Sequence, residues 1–333
     1  MIDIHHEKPG RRNPRTPESL DDEAGQTGGR SRARAAIARL NRDRSLYLLA
    51  LPGIAFFLFF KYVPMWGLLI AFQDYSPFAG ISGSPWIGLD NFAEFFSAPD
   101  FALLFRNTLA ISALNLFLFF PVPILISLAL NELRSVFYKR LIQTVIYMPH
   151  FLSWVIIAAL TLILFAKSGG LVNLALESMG LARVGVLTDP DTFWLLLTAQ
   201  SIWKEAGWGT IVFLAAIAGV DTRLYDAARM DGAGRLRQIW HVTLPAIRGV
   251  VIVLFILRLG DVLEVGFEQV FLMYNGAVSQ VAEVFDTYVY RTGIEQGRFG
   301  YSTAVGLFKS LVGLVLVIAA NRLAKRMGEE GVY

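Results

Sequence analysis

The sequence predicts an all-α integral membrane protein with six transmembrane helices, and three observations carry that prediction. Of its 333 residues, 55% are hydrophobic and only 17% are charged, against about 25% charged in soluble domains; the mean hydropathy is +0.50. Apolar runs of bilayer length, about 20 residues, occur six times, at roughly 46–70, 107–133, 140–166, 193–219, 247–273 and 301–323. Lys and Arg gather on alternate sides of those runs. Backbone polar groups in hydrocarbon must pair within the protein, so the runs are expected to be helices rather than open strands.

The elements follow in order. Residues 1–44 form a basic tail; 1–30 are rich in Gly, Pro, Arg and acidic side chains, a disordered composition. No short apolar stretch there precedes a small-residue cleavage site, so no secretory signal is expected. His5 and His6 lack neighbouring ligands and read as a solvated pair. Ser31 to Arg44 fits a helix on anionic lipid or a flexible basic arm equally well. Residues 45–105 hold the first span and an external connection; 106–325 hold the other five spans; 326–333 are a short tail.

Orientation comes from the basic residues. One side collects Arg134, Lys139, Arg140, Arg223, Arg229, Arg235, Arg237, Arg322, Lys325 and Arg326; the other has Lys167, Arg183, Arg291 and Arg298, and 73–105 contain no Lys or Arg. This bias puts both termini in the cytoplasm. Pro149 is expected to kink its span, as are Pro52, Pro64, Pro121 and Pro123. Trp86, Trp154 and Trp194 fit interfacial anchors. Val281, Val284, Phe285, Tyr288 and Val289 recur at helical spacing, predicting an external amphipathic helix over 279–291.

The most telling polar stretch is 221–246. Asp221-Thr222 offers an N-cap, and Asp226 suits the following turns. Ala227 and Ala228 favour helix and allow close packing, Asp231-Gly232 reads as a turn, and Pro245 suits a fresh helix start. Helix, turn and helix make a rigid cytoplasmic knob.

Several chemistries are excluded. The chain has no Cys, which removes disulfides, thiol catalysis and Cys-bound zinc. No Gly-Lys-Ser or Gly-Lys-Thr occurs, so no P-loop is expected, and the four His form no metal signature. A net charge of +3, placed where topology wants it, gives nucleic-acid binding no support. Energy must come from a separate ATPase or an ion gradient.

Asp226-Ala227-Ala228, then Gly232, then Leu244-Pro245 resemble the "EAA" coupling loop of ABC importer permeases, with Asp226 for the usual Glu and Val242 for the usual Ile. Trp86-Ile87-Gly88-Leu89-Asp90-Asn91-Phe92 and Arg106-Asn107-Thr108-Leu109 are similar to segments of sugar-importer permeases. Pro149-His150-Phe151-Leu152-Ser153-Trp154, Asp286 to Arg291 and Gly306 to Ser310 resemble the oligosaccharide and polysaccharide branch. The resemblance covers roughly 46–325 and implies a type I importer permease fold with a cytoplasmic coupling helix. It also implies a bacterial inner-membrane location, a second, nonidentical permease subunit, two copies of a cytoplasmic ATPase and an external solute-binding protein. No cofactor is expected on this chain, with ATP and Mg on the partner ATPase. The coupling residues would be Tyr225, Asp226, Ala227, Ala228, Arg229, Met230, Asp231, Gly232, Ala233, Leu244 and Pro245.

Charges inside spans mark a pathway, because each costs roughly 2.5–3.5 kcal/mol at mid-membrane on insertion scales. Lys204, Arg258, Asp261, Glu264, Glu268 and Lys309 are such charges, alongside Lys61 and Glu205. On one continuous helix Asp261, Glu264 and Glu268 would share about a 60° sector, one turn from Arg258. Asn115, Trp203, Trp208, Phe267, Gln269 and Tyr274 supply planar and hydrogen-bonding groups for a sugar. Helix-locking is the competing role for each charge. Lys204, Arg258 and Lys309 suggest a uronate oligomer such as alginate. A gradient-driven carrier, using the acidic residues for a coupling ion, is the alternative; a structural scaffold is a third.

Overall fold

The computed structural model describes residues 44–326 and Gly328; the expectations for the preceding tail, including His5 and His6, and for most of 327–333 lie outside them. The chain divides into two units between Trp66 and Gly67, within the region 45–105. The first unit is helical from Arg44–Phe57 through a π-turn at Leu58–Tyr62, with Pro52 inside the helix.

Among the described residues, four helices are long and apolar enough to cross a membrane: Arg44–Phe72, Asp100–Glu132, Arg235–Gly260 and Phe299–Arg326. A fifth counts if Val136–Phe151 and Trp154–Phe165, bent by 103°, are one broken span. Pro149 is the cause expected from sequence: it is buried in a 3-10 turn, Met148–Phe151, and Ser153 caps the restarted helix by accepting from the Ile156 amide. The run expected at 193–219 is the helix Pro190–Ala218, 29 residues long, about 43 Å. Its centre carries Lys204 and Glu205, so it has the length of a span without the uniform apolarity. No strand forms among the described residues; one isolated bridge joins Gln73 and Trp86.

Two expectations are corrected. The fifth run is not one helix over 247–273: Leu244–Gly260 ends at a turn through Asp261 and Glu264, and Phe267–Met273 starts afresh after Gly266, whose φ is +92°. Gly260 and Gly313 bring two helices into backbone contact, where a Cβ on Gly260 would come 2.6 Å from Val317. Asp261, Glu264 and Glu268 therefore share no helical face. Nor is 279–291 one helix: Ser279–Ala282 and Phe285–Tyr290 are separated at Glu283 and Val284, and Val284, Phe285 and Tyr288 are buried in the bundle.

The Pro190–Ala218 helix is the hub of the second unit. Phe193 and Leu197 enter one apolar cluster with Ile111, Val270 and Val284, and Ile217 enters another with Leu128 and Ile247. A third cluster joins Phe95, Leu104, Phe285, Tyr301 and Val305. Buried polar side chains stitch the segments between helices. Asn107 donates to the Gln280 and Glu283 carbonyls at 3.0 and 2.9 Å, and Thr108 accepts from the Phe285 amide. Asn91 donates to the Ala71 and Gln73 carbonyls at 2.9 and 3.1 Å. The sequence motifs around Asn91 and Asn107 are thus fasteners of carbonyls at and just beyond the ends of short helices.

Candidate functional site

The knob forms as the sequence implies. Asp221 caps the helix Thr222–Met230, accepting from the Arg223 amide at 2.9 Å, and the Arg223 guanidinium holds its carboxyl below the usual carboxylate range. The helix ends in a Schellman motif: the Gly232 amide donates to Arg229 and the Ala233 amide to Ala228, at 3.0 and 2.9 Å. Gly232 has φ +75°, a conformation that favours glycine. Asp226 pairs with Arg229 at 2.9 Å. Gln238 donates to the Ala233 carbonyl across the turn, and the Tyr225 hydroxyl meets the buried Thr243 hydroxyl at 3.0 Å. Leu244 then packs against the Leu128 and Ile247 cluster, and Pro245 opens no fresh helix: it lies within a helix that continues from Arg235 through a π-turn, Ile239–Thr243, to Gly260. Met230, Leu236 and Trp240 stay exposed. The result is a braced projection with an apolar rim, fixed to the base of the Arg235–Gly260 helix.

The other end of that helix reaches a cavity of about 360 Å³ whose walls include Phe119, Glu205, Trp208, Gly209, Arg258 and Asp261. Beside it is a cleft of about 30 Å³ lined by Ser112, Asn115, Leu116, Arg258, Asp261, Val262 and Glu264. The Arg258 guanidinium lies over the Phe119 ring at 4.9 Å. Asn115, Trp208, Arg258, Asp261 and Glu264 are therefore brought together.

Other candidates from the sequence are placed elsewhere. Lys204 is buried and donates to the carbonyls of His150 and Leu152, both at 2.7 Å, with Glu205 at 3.5 Å and the Trp154 ring at 5.6 Å. It closes the break in the bent span. Lys309 is engaged by Asp286, its side chain nearly buried. Gln269 is buried and ties Leu197, Gln200 and Ser201 together. Trp203, Phe267, Glu268 and Tyr274 line neither cavity; Phe267 stacks on Phe271. Trp194, read as an anchor, donates to the Val281 carbonyl at 2.8 Å.

Two residues outside the expected set belong to the cavity region. His150 Nδ1 lies 2.7 Å from Glu205 Oε2, and its ring stacks on Trp208 at 4.5 Å with planes 5° apart. His150 already stood in the Pro149 to Trp154 signature and Glu205 among the span charges; only their fifty-five-residue separation hid the pair.

Residues 119–329 match the sequence model of the binding-protein-dependent transport system inner membrane component. The polygalacturonan/rhamnogalacturonan transport system permease protein YteP of Bacillus subtilis (strain 168) is 56% identical over 297 residues, covering 89% of this chain and 92% of its own. Protein LplB of the same organism is 54% identical, with 89% and 93% covered. A bacterial alginate ABC transporter, solved in complex with an alginate pentasaccharide-bound periplasmic protein, has a chain 41% identical with a TM-score of 0.82, covering 89% of this chain and 99% of that one.

Proposed function

The chain belongs to the binding-protein-dependent transport system inner membrane component family, and we propose that it forms one wall of the pathway by which an ATP-driven importer moves acidic oligosaccharides or polysaccharide inward. It is a permease of the oligosaccharide and polysaccharide ABC importers, which replaces the gradient-driven alternative. The glycans named for its relatives, polygalacturonan, rhamnogalacturonan and the acidic polysaccharide alginate, all carry uronic acids, and they favour a uronate-containing cargo. The partners are a second permease, two copies of an ATPase that bind ATP and Mg, and an external binding protein. Both termini and the coupling segment face the cytoplasm, on the positive-residue bias.

One observation carries the mechanism. A single helix, Arg235–Gly260, follows directly on the Schellman-closed turn of the knob and has Arg258, Asp261 and the cavity at its end. At 1.5 Å per residue its 26 residues span about 39 Å. A push on the knob by closing ATPases is delivered to the cavity wall without passing through a flexible joint. The helices rock about the bound glycan, opening the cavity outward and then inward. Tyr225 to Ala233 transmit force; Trp208, Arg258, Asp261, Glu264 and Asn115 face the cargo.

Gly232→Pro tests this reading, because proline cannot adopt φ +75°. Membrane insertion is expected to persist while glycan uptake and stimulation of the ATPase by loaded binding protein are both abolished. Retention of both in this variant overturns the assignment.

A further inference from the structure

The end of the helix Asp100–Glu132 and the start of the helix Arg235–Gly260 leave a groove of about 340 Å³ between them. Ile124, Leu125 and Ala129 form one wall, and Leu236, Trp240 and Leu244 the other. Its rim is open, because Leu125, Leu236 and Trp240 are exposed. Along the first helix the groove follows the 12 residues Pro121–Glu132, about 17 Å at 1.5 Å per residue. Half of a bilayer's hydrocarbon core is about 15 Å, so the groove has the depth of one leaflet.

Glu132 also lines a second cavity, of about 640 Å³, which is polar and lies against the knob at Tyr225 and Arg229. Arg229 is taken by Asp226. Arg235 is held only loosely, its Nε 3.8 Å from Glu132, and Arg134 has no ion pair among the described residues. Two guanidinium forks are therefore available to one anion, and that geometry suits a phosphate. The same cavity sits at the C-terminal ends of two helices, at Glu132 and at Ala218. Helix C-termini favour cations, and the Glu132 carboxylate adds to that preference. The cavity thus has a place for each sign of charge.

We propose that groove and cavity together bind one phospholipid with a primary ammonium, a phosphatidylethanolamine from the leaflet on the knob's side. An acyl chain fills the groove between Leu125 and Trp240, the phosphate takes Arg134 and Arg235, and the ammonium takes Glu132 and the two helix ends. A free phosphate would leave the groove empty. A purely anionic headgroup would meet Glu132 and two helix C-termini with the wrong sign, and a choline headgroup has no N–H to donate. Trp240 at the open rim suits the depth where headgroups begin. Since Tyr225, Arg229 and Gln238 line the same cavity, the bound headgroup braces the knob, and membrane composition acts on the coupling segment.

The test is lipid retention by the purified complex, read by native mass spectrometry, and it stands whether or not glycan is moved. The complex is delipidated in detergent and titrated with dioleoyl lipids carrying ethanolamine, choline or glycerol headgroups. One ethanolamine lipid per copy of this chain is expected to bind roughly two- to ten-fold tighter than the choline lipid. Arg134→Gln combined with Arg235→Gln should weaken it about ten-fold or more, and Glu132→Gln should abolish the preference for ethanolamine over glycerol. Ala129→Phe fills the groove, spares the cavity and should weaken all three lipids, while Arg237→Gln, outside the cavity, should change nothing. Equal retention of the three lipids by wild type, wild-type retention in the double arginine variant, or an unchanged preference in Glu132→Gln overturns the proposal. Should the double variant fail to assemble, Ala129→Phe decides in its place, and wild-type retention there overturns it too. A benzophenone on Leu125→Cys, the chain having no other thiol, is expected to add to lipid; capture of another subunit instead makes the groove a protein interface and refutes the lipid site.

Discussion

Replacing Lys204 with methionine separates a structural cation from a cargo-binding one. The ammonium sits 2.7 Å from each of two carbonyl oxygens, those of His150 and Leu152, and 3.5 Å from Glu205. Those carbonyls belong to backbone that has left the helical ladder at the 103° break, so they have no helical donor to return to. Methionine keeps the apolar stem and removes the ammonium's interactions with these three partners and with the Trp154 ring. Leaving a buried polar group unsatisfied costs about 1–3 kcal/mol; two carbonyls give a loss of about 2–6 kcal/mol, before any cost of the stranded Glu205. At about 2.1 cal/mol/K per residue over a unit that starts at Gly67 and runs to the end of the chain, 2 kcal/mol is a fall in Tm of about 4 °C. The assay is thermal unfolding of the purified importer beside glycan uptake. A cargo-binding lysine would give the opposite pattern: unchanged Tm with lost uptake of uronic oligomers. That pattern in Lys204→Met refutes the argument from the helix break.

Two further outcomes follow from single side chains. Burial pushes the Glu283 carboxyl above the usual carboxylate range despite Arg291 at 3.4 Å; its stabilising contribution is full below the ordinary value, about 4.3, and is lost as pH rises through the raised one. Thermal unfolding of Glu283→Gln should therefore lose less stability than wild type between acidic and neutral pH, and an equal loss in both counts against it. Arg258→Gln should reduce uptake of uronic oligomers several-fold more than that of neutral oligomers of equal length, and equal reduction of the two removes Arg258 as a carboxylate contact.

What was legible in sequence divides along physical lines. The knob was read almost residue by residue because its determinants are local: Asp221 as cap, Ala227 and Ala228 as helix, Gly232 as the left-handed closure. Pro149 announced the broken span for the same reason. The fates of Lys204, Gln269 and Lys309 were not legible, since each is decided by a partner far along the chain: His150 for Lys204, Leu197 for Gln269, Asp286 for Lys309. A span charge looks identical in sequence whether it closes a backbone break or faces cargo. The fifth run misled because apolar residues continue past Gly260, while the turn depends on the close approach of Gly313 and on Gly266. Once the helix stops there, helical periodicity no longer relates Asp261 to Glu268.

The same division bears on the cargo. Three intramembrane cations suggested a uronate, yet Lys204 serves backbone carbonyls and Lys309 serves Asp286. Arg258 is the basic side chain that lines both cavities, facing Glu205, Asp261 and Glu264 across them. This wall is therefore acidic on balance, rich in acceptors for sugar hydroxyls and able to grip a carboxylate at one place. On the proposed function, a uronate chain passing it would be held at Arg258 and repelled on either side. Such a surface suits transit, because a pathway must bind its cargo strongly enough to admit it and weakly enough to release it. Tight, saturating recognition of every carboxylate would stall a polymer whose charges repeat at each ring, so a single cation among acceptors fits a wall built to pass a uronate chain along.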